Sequence, residues 1–166
     1  MSKSDITFRP TIKSDLEAVL KIERDNENRP YIRQWSTEQH IEAIDDNNIA
    51  HLVLEAFEKK RIVGYIILVG LENLDESIEF KRLVINEKGR GYGRKAMQMM
   101  KEYAFVDLKA HRLWLDVIEN NERAYKLYLS EKFIVEGVSR ESFKYQNNFY
   151  SVNVMSMLAD EYNSTK

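Results

Sequence analysis

The run Glu87-Lys88-Gly89-Arg90-Gly91-Tyr92-Gly93-Arg94-Lys95-Ala96 constrains this chain more than any other segment. It follows a strand-like apolar stretch and precedes a long helical pattern, so it reads as a strand-to-helix turn. Glycines let successive backbone N–H groups turn toward one point without Cβ clashes. The helix behind adds unpaired N–H groups and a partial charge of roughly +0.5. Such a turn suits a phosphate, and Lys88, Arg90, Arg94 and Lys95 crowd positive charge around it. A plain tight turn does not need three alternating glycines. No Gly-Lys-Ser/Thr follows, so the Walker pattern is absent. Gly91-Tyr92-Gly93-Arg94-Lys95-Ala96 does fit G-x-G-x-x-A, and Asp116 ends a strand about 20 residues on, as a dinucleotide fingerprint asks. Against that, the loop from Ile85 to Gly91 is longer than the fingerprint's turn, and no second parallel strand-helix-strand unit is present.

The rest of the chain supplies the frame. Ile6-Thr7-Phe8-Arg9 alternates as a first strand. Ser14-Asp15-Leu16-Glu17 and Ser36-Thr37-Glu38-Gln39 are capping boxes that open two helices, the first ended by Pro30 and the second running to about Asp46. His51 to Phe57 and Ile62 to Leu71 read as a hairpin across Glu58-Lys59-Lys60-Arg61. Ser77 to Ile85 is the strand before the glycine run. Ala96, Met97, Met100, Ala104 and Leu108 form the apolar face of the helix after it. Arg112 to Val117 is a strand and Asn121 opens a helix. Phe133 to Ser142 and Phe149 to Leu158 are strands around Gln146-Asn147-Asn148. The order predicts an α/β fold, a mixed sheet with helices on both faces.

Composition removes several classes. The 166 residues suit one domain over the whole chain, and 43% hydrophobic content fills a core. Without cysteine there is no disulfide, thiolate metal site or cysteine nucleophile, which fits a reducing compartment. His40, His51 and His111 lack metal-ligand spacing, so no metal is expected. Met1-Ser2-Lys3-Ser4-Asp5 lacks the apolar run of a signal peptide, and Ile62 to Val69 is too short to span a bilayer. A cytoplasmic protein with no membrane partner is expected. The net charge of -2 gives no general attraction to nucleic acid.

A second run settles the choice. In Asn121-Glu122-Arg123-Ala124-Tyr125-Lys126-Leu127-Tyr128, followed by Lys132-Phe133, Asn121 is a good N-cap and Tyr128 lies one turn beyond Ala124 on the same face. Together the two runs resemble the GNAT superfamily of N-acetyltransferases. Lys88-Gly89-Arg90-Gly91-Tyr92-Gly93 matches its pyrophosphate loop Q/R-x-x-G-x-G/A, and the second run matches its N-x-x-A-x-x-L-Y…G-F helix. Lys88 stands for the usual Gln or Arg, and Lys132 for the usual Gly before Phe133. The tail, with Val135-Glu136-Gly137 and Met155-Ser156-Met157, resembles the branch of ribosomal-protein N-terminal and spermidine/spermine acetyltransferases.

The resemblance implies a mostly antiparallel sheet of about seven strands with a central splay. Leu83-Val84-Ile85 would splay from Leu113-Trp114-Leu115 and pair with the pantetheine arm of acetyl-coenzyme A, with the Val84 N–H polarising the thioester carbonyl. Lys88, Gly89, Arg90, Gly91, Tyr92, Gly93 and Arg94 would hold the pyrophosphate. Asn121, Ala124, Lys126 and Tyr128 would complete the cofactor site. Direct attack by a primary amine in a ternary complex follows, with Glu79 as base and Tyr128 as acid to the thiolate. The acceptor is a polyamine, another small amine or a protein N-terminus. Glu23, Glu27, Tyr31 and Trp35 would wall its site, with Glu72, Asp75 and Glu76 nearby, as acidic and aromatic groups suit a cation. A homodimer is possible in such a family. A coenzyme-A-binding module without turnover, and a small nicotinamide-dependent oxidoreductase, are the alternative classes.

Overall fold

The computed structural model describes residues 5–166, so the expectation about Met1 to Ser4 lies outside them. The strands are β1 (Ile6–Pro10), β2 (Ile49–Ala56), β3 (Arg61–Val69), β4 (Ser77–Ile85), β5 (Arg112–Ile118), β6 (Ile134–Tyr145) and β7 (Asn148–Leu158). They form one 7-stranded sheet in the order β1-β2-β3-β4-β5-β7-β6. The β4–β5 pair is parallel and the other pairs are antiparallel. The helices are α1 (Leu16–Glu23), α2 (Thr37–Asp45), α3 (Tyr92–Glu102), α4 (Glu122–Ser130) and α5 (Ala159–Ser164).

Each face of the sheet has its own core. Leu16, Val19 and Ile22 of α1 pack on Val53, Tyr65, Ile67 and Val84. Ala96, Met97 and Met100 of α3 pack on Leu52, Leu54, Ile66 and Leu68 on the other face, joined by Tyr128 of α4 and Tyr162 of α5. β2 and β3 are covered on both sides, which is why they read as near-continuous apolar runs. Each fully buried Leu, Ile or Met there contributes roughly 1.5–3 kcal/mol. Among the described residues, no helix is long and apolar enough to cross a membrane.

Several local expectations need correction. Ser36 and Gln39 do cap α2 reciprocally. At α1, however, the Ser14 box does not form: Asp15 takes the N-cap place without capping a helix N–H, and its carboxylate accepts instead from the Ile12 N–H at 2.9 Å and from Arg9 at 2.7 Å. α1 stops at Glu23, well before Pro30. The short α5 was not anticipated; Glu161 accepts from the Leu158 N–H, and Tyr162 stacks on Phe105 at 5.0 Å. Lys132 adopts the glycine-like φ of +73° that its place before Phe133 demands. The Phe133 N–H reaches the Tyr128 carbonyl and the Lys132 N–H reaches that of Leu129, the double bond of a Schellman cap.

The decisive irregularity lies in β4. Its register against β3 shifts between Ile67↔Arg82 and Leu68↔Phe80, leaving Lys81 as one extra residue. Such a bulge flips side-chain parity and bends the strand. Ile78 and Phe80 therefore join the α3-side core, whereas Arg82 and Val84 point to the α1 side. Pairing of β4 with β5 ends at Glu79↔Trp114. Beyond it β4 follows β3 and β5 follows β7, so a wedge opens through the sheet. The expected splay is present, but it opens beyond Trp114; Leu113 and Trp114 are still paired.

Candidate active site

The wedge, the glycine turn and the start of α4 enclose a cavity of about 1050 Å³. The turn is shaped by backbone conformation. Gly89 and Gly91 sit at φ +79° and +78°, and Gly91 is the N-cap of α3. A Cβ on Gly89 would meet nothing, so the conformation, not crowding, requires glycine there. On the opposite wall Asn121 caps α4, accepting from the Ala124 N–H at 3.3 Å. Two helix N-termini thus border one cavity, with cationic Lys88, Arg94, Arg123 and Lys126 among its lining. Free N–H groups, positive charge and this volume suit the pyrophosphate and pantetheine of coenzyme A.

Leu83, Val84, Ile85, Lys88, Gly89, Gly91, Tyr92, Gly93, Arg94, Asn121, Ala124, Lys126 and Tyr128 all border the cavity. Arg90 does not; its guanidinium turns back to Glu87 at 3.0 Å. Lys88 reaches across to the Asn28 side-chain oxygen, and burial lowers its pKa. The role given to the Val84 amide is corrected by strand geometry. The Val84 carbonyl lies against Gly64 of β3, and the Asn86 N–H bonds Val63 of the same strand. Backbone groups alternate in direction along a strand, so Val84 faces β3 while Leu83 and Ile85 turn theirs into the wedge.

A second cleft of about 440 Å³ continues from the first and shares Tyr31, Ile32, Leu83, Asn121, Ala124 and Tyr128 with it. Trp35, Glu79, Lys81, Asp116 and Phe143 add to its walls. Burial raises the pKa of Glu79, helped by the charge of Asp116, and burial raises that of Asp116 as well. The Tyr128 phenol stands at the junction, buried, with its pKa pushed up first by burial and then by Asp116. It is therefore held as the protonated acid.

The expected acceptor residues are divided by the structure. Tyr31 and Trp35 line the second cleft, while Glu27 borders the cofactor cavity. Glu72, Asp75 and Glu76 border neither. Glu23 is not a wall residue at all, being 0% exposed. Its carboxylate accepts from Arg82 at 2.6 Å, from the Trp35 N–H at 2.9 Å and from His40 Nε2 at 2.8 Å. Burial pushes its pKa up, but these donors outweigh burial and hold it below the usual range. The network continues from His40 Nδ1 to His51 Nε2 at 2.9 Å and from His51 Nδ1 to the Thr11 hydroxyl at 2.8 Å. Arg82, stacked 4.3 Å over Trp35, carries this network to the cleft wall. Sequence reasoning missed Arg82, which sits among apolar β4 positions, and Phe143, which comes from a distant strand. Asp116 was visible only as a dinucleotide marker, and it lies in the second cleft rather than beside the glycine turn.

Comparison with known proteins shows the family and the fold. Residues 5–133 match the model of an acetyltransferase (GNAT) domain. The spermidine N(1)-acetyltransferase of Vibrio cholerae serotype O1 is 26% identical over 170 residues, covering 96% of each chain. That of Escherichia coli K12 is 22% identical, covering 97% of this chain and 90% of the relative. The crystal structure of the Vibrio cholerae spermidine N-acetyltransferase in complex with CoA and spermine superposes with a TM-score of 0.87 at 25% identity, covering 96% of this chain and 99% of that chain. Fold, cavity and sequence agree: the chain belongs to the GNAT family of acetyl-CoA-dependent N-acetyltransferases.

Proposed function

We propose that this chain acetylates a primary amine of a polyamine, held in the smaller cleft while acetyl-CoA fills the larger. The observation that carries the proposal is the meeting of the two clefts at Leu83 and Tyr128. The aromatic walls Tyr31 and Trp35 and the carboxylate of Glu79 suit a cationic acceptor, as do the substrates named for the relatives.

Bound acetyl-CoA supplies an electrophilic thioester carbonyl carbon with a thiol as leaving group. Leu83, which borders both clefts, presents its backbone N–H to the carbonyl oxygen. Glu79, its pKa raised toward that of a useful base, takes a proton from the ammonium directly or through water. The neutral nitrogen forms the C–N bond as the C–S bond breaks, Tyr128 delivers its proton to the departing sulfur, and the extra proton on the acylated nitrogen returns through water to the tyrosinate, leaving a neutral amide and a free thiol. Glu27, near Lys88, belongs with the cofactor end. We also infer a homodimer through β6, where Ile134 and Val138 are 53% and 58% exposed on the outer strand; light scattering tests it.

Thiol release from acetyl-CoA, measured with spermidine, shorter diamines, monoamines and N-terminal peptides, tests the acceptor. Turnover fastest with spermidine is expected. Activity on peptides alone removes the polyamine, and no release with any amine removes acyl transfer.

A further inference from the structure

The carboxylates that are buried or at strand edges near the core have partners. Asp15 and Glu55 both hold Arg9, Glu23 holds Arg82, and Glu131 holds Arg94 and Lys101. Asp116 is different: it is exposed on the wall of the acceptor cleft, and among the described residues it makes no hydrogen bond and no ion pair.

Its position follows from strand register. Leu113, Leu115 and Val117 of β5 point into the α3-side core, so Asp116 points to the opposite face. Glu79 alternates with Ile78 and Phe80 of that same core, so it also points to the opposite face. Glu79 is paired across from Trp114, at the last rung before the strands part. Asp116 stands two residues further along the other lip. The carboxylates thus flank the mouth of the wedge, with the Tyr128 phenol at its floor.

We propose that Asp116 is a second acceptor-site carboxylate, holding the incoming ammonium jointly with Glu79 where Tyr128 meets the cofactor cavity. This rests on the function proposed above. The division of labour follows from surroundings. Lys81, on the bulge of β4, approaches Glu79 at 3.7 Å, and its charge also acts on Asp116. Arg33, before α2, acts on Asp116 more weakly than Lys81 does, while its guanidinium rests 5.0 Å over Phe143 of β6. Neither cation closes on Asp116, so its oxygens remain free to accept N–H bonds from a substrate. Its charge also favours the protonated states of Glu79 and Tyr128. Asp116 therefore binds the cation, Glu79 removes the proton, and Tyr128 keeps its own until the sulfur needs it.

Asp116→Asn preserves size and removes the charge. We expect KM for spermidine to rise about tenfold or more, the loss of one charge-assisted contact, with KM for acetyl-CoA unchanged. Glu79 loses a negative neighbour, so the acidic limb of kcat should move to lower pH; a purely structural change gives no such directed shift. Asp116→Glu should restore most of the spermidine affinity. An Asp116→Asn enzyme with wild-type KM and an unmoved limb overturns the proposal. So does equal loss of acetyl-CoA affinity, which marks a folding defect. Calorimetric titration of spermidine into the CoA-bound protein separates this from the function itself: a wild type without turnover defeats the function, whereas equal spermidine binding by wild type and Asp116→Asn defeats the role of Asp116.

Discussion

The two halves of the cleft are built by different means. The cofactor half is made of backbone: two glycines with positive φ, two helix starts and one strand edge left open. The acceptor half is made of side chains drawn from the loop before α2, from β4, β5, α4 and β6. Backbone devices leave compact marks in sequence, because glycine and an N-cap must occupy fixed places. A wall assembled from distant strands leaves none. One half can therefore keep its ligand while the other changes its own.

Substitutions at the junction give the largest effects. Tyr128→Phe should lower kcat by about 10²–10⁴ while calorimetry finds acetyl-CoA affinity intact. Unchanged turnover under conditions where chemistry limits the rate would remove the phenol from the reaction. Glu79→Gln should cost about 10² in kcat, again with cofactor affinity preserved. Gly91→Val attacks the other half. A β-branched residue at φ +78° carries a cost of order 1–3 kcal/mol, so acetyl-CoA should bind about tenfold or more weakly, as read by calorimetry. Equal damage to spermidine and cofactor binding would erase the contrast between the halves.

Acid should loosen the buried polar network that backs the acceptor half. Burial holds the His51 pKa near 4, below its ordinary 6.5. The unfolded chain takes up that proton before the folded one, so stability is full above about pH 6.5 and falls as pH drops toward 4. The loss approaches 2–3 kcal/mol, read as a falling Tm between pH 7 and 4.5. His51→Gln should flatten that slope. Smallest is Lys132→Gly, which relieves a left-handed residue and should raise stability by about 0.5–1 kcal/mol in chemical denaturation.

Much of the frame was legible. Gln39 three residues after Ser36 marked α2, and Asn121 marked α4, because caps are local chemistry. Ser14 does not cap α1, and Arg9, six residues back on β1, holds the Asp15 carboxylate; no capping pattern contains that. Glu23 looked like a surface acid at the end of a helix. Only the fold brings His40, the Trp35 amide and Arg82 to it. The matching strand in sequence points to Val84, but which amide faces the wedge depends on registry with β3, a tertiary fact.

The extra residue at Lys81 divides one strand into two instruments in series. Up to Phe80 the strand is keyed to the oily interior. After the slip it is keyed to whatever enters the gap, with Arg82 tied into the buried polar lattice on the other side. Removing that single residue would advance the pleat by half a period and present the wrong edge atoms to the thioester, while every glycine of the turn stayed in place.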